Sequence, residues 1–237
     1  MKKMLMISTA ANAIEQFNMG NIEILKSLGY FVEVATNFLS GSSMPKNLVD
    51  KFRQSLESSG VHTHQINFSR KMFDLKAIKQ SKREMDEVLV KGHFDFIHVH
   101  TPIAATITLK IAKKHEIKCI YTAHGFHFFK GAPLKNWLMF YPVEFRNTYK
   151  INTLITINKE DFVFAKNHLK PSRALYIPGI GINPAKITNG SLNLLEKRKS
   201  LGLNESNFVL TSAGELNNNK NHEVVIRSLS LINNKNI

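Results

Sequence analysis

Seven short apolar runs, separated by longer amphipathic stretches along most of the chain, restrict it to very few architectures. The runs at 3–8, 31–36, 61–66, 96–100, 118–122, 153–157 and 174–177 are mostly β-branched or aromatic and read as strands. The stretches at 14–28, 45–59, 75–91, 103–115, 134–149 and 159–169 carry apolar residues at helical spacing. The first of these aligns Ile14, Phe17, Ile24, Leu25 and Leu28 on one stripe and stops at Gly29, as helices do. Strand, helix and strand in repetition predict an α/β fold, a Rossmann-like doubly wound parallel sheet, because right-handed crossovers place helices on both faces.

The rhythm breaks at Pro178-Gly-Ile-Gly-Ile-Asn-Pro184, whose prolines and glycines suit a hinge. A polar stretch follows, with a short helix expected around Leu192 to Leu201 and a strand at Asn207 to Ala213. A turn at 214–219 then leads into a helix from about Lys220 to Ile232. The expected organisation is a Rossmann-like domain over 1–178, a linker over 179–206, and the start of a second Rossmann-like domain over 207–237. One βα unit cannot bury its own apolar face, so the second segment is expected to pack loosely.

The single cysteine, Cys119, falls within an expected strand, which rules out a disulfide framework and suits a small core residue in a reducing compartment. The apolar run Met4 to Ile7 is too short for a signal peptide, and no run approaches the roughly 18 residues of a membrane span. A cytoplasmic protein is expected. Of the net charge of +14, residues 1–187 carry +12, which calls for an anionic partner. The charged stretch Arg70 to Lys91 also holds Asp74, Glu84, Asp86 and Glu87 and reads as a solvated face, whereas Lys110 to Lys135 has only Glu116 as counterweight. Nucleic acid is not the expected partner, because no helix shows base-reading spacing.

Candidate chemistry gathers between Asp95 and Phe129, where His98, His100, His124, His127 and, at the margin, His115 fall near strand ends. Ligands of open α/β sheets sit at the carboxyl ends of strands, so imidazoles delivered there are placed to act on one. Alternation sends His98 and His100 to one side; His100, at the strand end, is expected to face the cleft. No Cys/His cluster with metal-ligand spacing is apparent, and no metal site is expected.

Five segments, in order, carry a resemblance. They are Asp95-Phe-Ile-His-Val-His-Thr-Pro102, Tyr121-Thr-Ala-His-Gly-Phe-His-Phe128, Leu154-Ile-Thr-Ile-Asn-Lys-Glu-Asp161, Tyr176-Ile-Pro-Gly-Ile-Gly-Ile-Asn183 and Gly214-Glu-Leu-Asn-Asn-Asn-Lys-Asn-His222. The chain resembles the bacterial capsular and exopolysaccharide glycosyltransferases of family 4, which have the GT-B fold of two facing Rossmann-like domains.

The resemblance implies a retaining transfer of a sugar from a nucleotide-sugar, usually UDP-linked, to a lipid-linked or glycan acceptor, without a cofactor. It implies His124 as the catalytic residue and His100, Gly125, Phe126 and His127 on the acceptor side. Gly179, Gly181, Gly214, Glu215, Lys220 and Asn221 fall on the donor side, at a turn into a helix N-terminus that favours a diphosphate. The chain departs from the pattern in two places: Glu215 stands where many relatives have arginine, and the turn Ser8 to Ala13 lacks paired glycines, with Asn12 a candidate helix cap. Family members also continue further and contribute late acidic residues, so the chain is expected to be a fragment. Lys110, Lys113, Lys114, Lys118, Lys130 and Lys135, beside Phe126, Phe128, Phe129, Trp137 and Leu138, are expected to bind the inner, anionic face of a bacterial membrane. A non-catalytic basic module that binds membrane or acceptor, and a sugar-nucleotide epimerase of similar fold, are the competing readings.

Overall fold

The computed structural model describes residues 2–40, 43–70, 74–149, 151–181, 193–218 and 220–232. The chain divides into two compact units, Met1–Gly181 and Ile182–Ile237.

The first unit contains β1 (Lys2–Ala10), β2 (Tyr30–Asn37), β3 (His62–Gln65), β4 (Phe96–Val99), β5 (Lys118–Ala123), β6 (Thr153–Thr156) and β7 (Ala174–Tyr176). They form one sheet in the order β3-β2-β1-β4-β5-β6-β7, and every neighbouring pair is parallel. Its helices are α1 (Ala11–Phe17), α2 (Met19–Ser27), α3 (Lys46–Ser58), α4 (Leu75–Gly92), α5 (Pro102–Lys114), α6 (Leu134–Thr148) and α7 (Lys159–His168). The seven strands expected in this unit are all present, within two residues at each end.

Central β1 is buried continuously from Met4 to Ala10, as a strand covered on both faces must be. Its alternate side chains enter two cores. Leu5 and Ile7 pack with residues of α4, α5 and α7, while Met4 and Met6 pack with Ile14 and Ile22 of α1 and α2 and with Val49, Phe52 and Leu56 of α3. Each large side chain so buried contributes about 1.5–3 kcal/mol, which fixes the register that delivers the strand ends described below.

The structure departs from the sequence expectation at three places in this unit. The helix expected over 14–28 is two helices, because buried Asn18 turns its side chain back onto the backbone, donating to the carbonyl of Ala13 at 3.0 Å and accepting from Asn21 at 3.0 Å. The expected stripe is therefore discontinuous: Ile14 and Ile22 face the core, while Phe17, Ile24 and Leu28 are exposed. Asn12 does not cap α1; its amide donates to Ser43 at 3.1 Å. Phe126 and Phe128, read as exposed, are buried and stacked at 5.0 Å, with Phe164 edge-on to both.

In the second unit, the described residues form α8 (Leu194–Ser200) and α9 (His222–Ser230). Asn193 caps α8, and the Arg198 guanidinium donates to the carbonyls of Asn204 and Asn207. The strand expected at Asn207–Ala213 does not form: the segment has no ladder partner among the described residues, and a strand without one has no hydrogen bonds to hold it. Leu192 and the residues from Ile182 to Pro184 lie outside the described residues.

Candidate functional site

The strand order reverses direction between β1 and β4, and their carboxyl ends diverge into a cleft, the place where such sheets receive ligands. Thr9 and Thr101 hold the two ends together: the Thr101 hydroxyl accepts from the Thr9 amide at 2.9 Å and meets the Thr9 hydroxyl at 2.6 Å. Beyond them opens a cleft of about 510 Å³, lined by Thr9, Asn12, Arg70, Thr101, His127, Met139 and Phe140 among others. Sequence reasoning singled out only His127 of these as a binding residue. The rest come from the first turn, the chain before α4, the turn between β4 and α5 and the middle of α6, which only the folded sheet brings together.

Beside this cleft stand three imidazoles. His98 and His100 project from one face of β4, their rings 4.0 Å apart, and His124 at the end of β5 brings its Nε2 to 3.4 Å from Nδ1 of His100. The His98 Nε2 meets the Thr122 hydroxyl at 2.8 Å. His100 is buried, and its Nε2 has no partner among the described residues, so the residue expected to face the cleft lies beneath His124. His124 is only partly covered, with the Phe17 ring of α1 5.8 Å away.

Burial holds all three rings neutral at physiological pH. Removal from water, with His124 as neighbour, pulls His98 down to about 3; burial and both neighbouring rings hold His100 well below its usual range. Burial alone lowers His124. A neutral imidazole donates from one ring nitrogen and accepts at the other, so the cluster can fix which nitrogen of His124 carries its proton.

The His124 turn is clamped from outside the sheet. Gly125 has φ +122°, a backbone conformation side chains rarely allow, and the Phe126 amide then donates to buried Asp161 at 3.0 Å. Asn158 caps α7 by accepting from the Asp161 amide at 2.7 Å and donates to the Asp161 carboxylate at 2.7 Å. Glu160 accepts from the Lys130 amide at 3.0 Å. The segment Leu154–Asp161, given a functional reading in the sequence only through the resemblance, thus acts as the brace of the His124–Lys130 loop. Phe126 belongs to the core below this loop and does not reach the cleft; His127 is exposed, its ring 4.6 Å from that of Phe140.

The remaining sequence candidates lie elsewhere. His115 follows α5, at the amino ends of the strands and so away from the cleft, and bonds Asp86 of α4 at 2.7 Å. Lys113 and Lys114 end α5, a helix about 20 Å long, so they and Lys118 do not share the cleft's surface with Lys130 and Lys135. Gly179 and Gly181 follow β7 with φ of +80° and +77°. In the second unit, Gly214 packs closely enough that a Cβ there would sit 3.1 Å from the Lys220 side chain. Asn221 takes a left-handed conformation at the start of α9, and exposed Glu215 accepts from the side-chain amide of Asn217 at 3.0 Å.

Comparison with known proteins bears on this geometry. Residues 43–158 match the family model described as "Glycosyl transferase 4-like". A Bacillus subtilis (strain 168) protein named "Putative glycosyltransferase EpsD" is 34% identical over 239 residues, taking in 99% of this chain and 58% of that protein. Among solved structures, Anabaena HepE in complex with UDP and glucose aligns at a TM-score of 0.66 with 15% identity, over 99% of this chain and 59% of that one. Sucrose-phosphate synthase from Thermosynechococcus elongatus aligns at 0.67 with 11% identity, over 98% and 60%. The chain spans about three fifths of the length of these relatives. The resemblance to glycosyltransferase family 4 is borne out, and the Rossmann-like α/β fold matches GT-B glycosyltransferase structures.

Proposed function

We propose that this chain, as a relative of family 4, supplies the acceptor side of a retaining glycosyltransferase that moves a sugar from a UDP-linked donor to a lipid-linked or glycan acceptor in exopolysaccharide synthesis. The observation that carries the reading is the braced His124–Gly125 turn beside the switch-point cleft, within the segment that matches the family model. A neutral His124, its tautomer set by His100, offers an oriented hydrogen bond to a reacting sugar, and such donors are typically worth about 10² to 10³ in rate. On this reading Gly179, Gly181, Gly214, Glu215, Lys220 and Asn221 face the donor, and no cofactor takes part. The acceptor occupies the cleft, where Arg70 suits a phosphate and Met139 and Phe140 suit an apolar chain.

The assay is a panel of labelled UDP-sugars with a bacterial lipid extract, using a polypeptide in which this chain is continued to its relatives' full length. Label carried into the lipid fraction supports transfer. Donor interconverted without an acceptor contradicts transfer and points to an epimerase.

The same reading places the protein at a membrane surface. No helix among the described residues is long and apolar enough to cross one. On α6 and the loop before it, however, Leu134 and Leu138 are more than 70% exposed, Phe129 and Met139 are also exposed, and Lys130 and Lys135 accompany them. Each lysine near an anionic leaflet is worth on the order of 1 kcal/mol, and the apolar side chains add their burial. Binding to anionic vesicles at low salt is expected, with release at high salt and a severalfold loss in Leu134→Ser/Leu138→Ser. Equal, negligible binding to neutral and anionic vesicles would exclude this surface.

A further inference from the structure

A second constellation lies away from the His124 cleft, at a place where the sequence suggested no metal site. Glu33 of β2 and His62 of β3 are register partners in the sheet, and His64, two residues on, returns to the same face. Their candidate ligand atoms, one from each side chain, all lie within 4.8 Å of one another. The spacing His62-Thr-His64 is visible in the sequence, but the carboxylate that completes the set comes from the neighbouring strand and appears only with the register.

We propose that Glu33, His62 and His64 form a binding site for a divalent transition-metal ion of the zinc class, one that ties the outer strand pair of the sheet together. The Glu33 carboxylate is 3% exposed and is already contacted from two directions, by the Lys3 ammonium at 2.6 Å and by Nε2 of the His64 imidazole at 2.5 Å. The His62 ring stands edge-on to that of His64 at 4.6 Å. Two imidazoles and a carboxylate are a donor set that zinc, cobalt and nickel take readily. Ligand atoms around a tetrahedral zinc sit about 3.3 Å apart, so closing this set requires a modest rotation of exposed His62 and the withdrawal of partly exposed Lys3. The fourth position opens into a cleft of about 460 Å³, which Glu84, Glu87 and Lys91 of α4 also line. A metal there would add a cross-link at the sheet's edge, and binding to the folded state alone raises stability.

The test uses the untagged 237-residue chain, titrated with Zn²⁺ against a chromophoric chelator and with Co²⁺ by visible absorption. The proposal expects one saturable equivalent, a tetrahedral Co²⁺ spectrum, and a melting temperature raised by Zn²⁺. His62→Ala and His64→Ala should each weaken binding tenfold or more and abolish the rise. His168→Ala, at an exposed histidine of α7, should leave both intact. Because His62 is exposed, its variant is expected to stay folded, which circular dichroism checks. Absence of a saturable equivalent, or His62→Ala binding as tightly as the parent, would overturn the proposal.

Discussion

Acidifying this protein from pH 6.5 to 5 should remove on the order of 2 kcal/mol of stability through His98 alone. Its folded value lies near 3 against a usual 6.5, so the unfolded chain takes up the proton first. The stability it contributes is complete above pH 6.5 and is lost as the pH falls toward 3. His100, lowered by the same burial, acts in the same direction.

Glu144 of α6 opposes this loss. It is buried, accepts from the Tyr121 hydroxyl at 3.0 Å, and is raised by desolvation from 4.5 to about 7. The folded state keeps a proton that the unfolded chain gives up. Its contribution is complete below pH 4.5 and disappears as pH rises through 7. Glu144→Gln should therefore gain stability relative to the parent as pH rises from 4.5 to 8, by on the order of 3 kcal/mol, and should expose the full histidine slope. Urea unfolding of parent, Glu144→Gln and His98→Gln/Glu144→Gln across that range measures both terms. Parallel curves for parent and Glu144→Gln, or an unchanged slope when His98 is replaced, would refute the assignments.

What the sequence disclosed follows from how locally each feature is specified. The strands and most helices are specified within a few residues, the helices by their apolar spacing and the strands, in a sheet buried on both faces, by short continuous apolar runs such as Met4 to Ile7. Asn18 breaks the first helix through side-chain bonds to Ala13 and Asn21, an event the apolar stripe does not record. Asn207–Ala213 has strand composition but no partner among the described residues, and pairing is what makes a strand. The site was legible where a motif falls at a strand end, as His98, His100 and His124 do. It was not legible where distant segments converge. Asp161 reaches the Phe126 amide across 35 positions, and Thr101 reaches Thr9 across 92. Phe126 and His127 are adjacent in the motif, yet the positive φ at Gly125 and the Asp161 clamp send one into the core and leave the other beside the cleft.

On the reading proposed above, His124, set in place by His100 and the Asp161 brace, assists sugar transfer. That role is tested most directly by comparing His124→Ala with the parent in the labelled UDP-sugar assay, in polypeptides continued to the relatives' full length. Unfolding should be monitored in parallel. His124 is only partly buried and its ring bonds only His100 among the described residues, so the variant should fold with little change. Label reaching the lipid fraction should fall tenfold or more, chiefly in kcat, with the melting temperature held. Transfer at the parent's rate by folded His124→Ala would contradict that role.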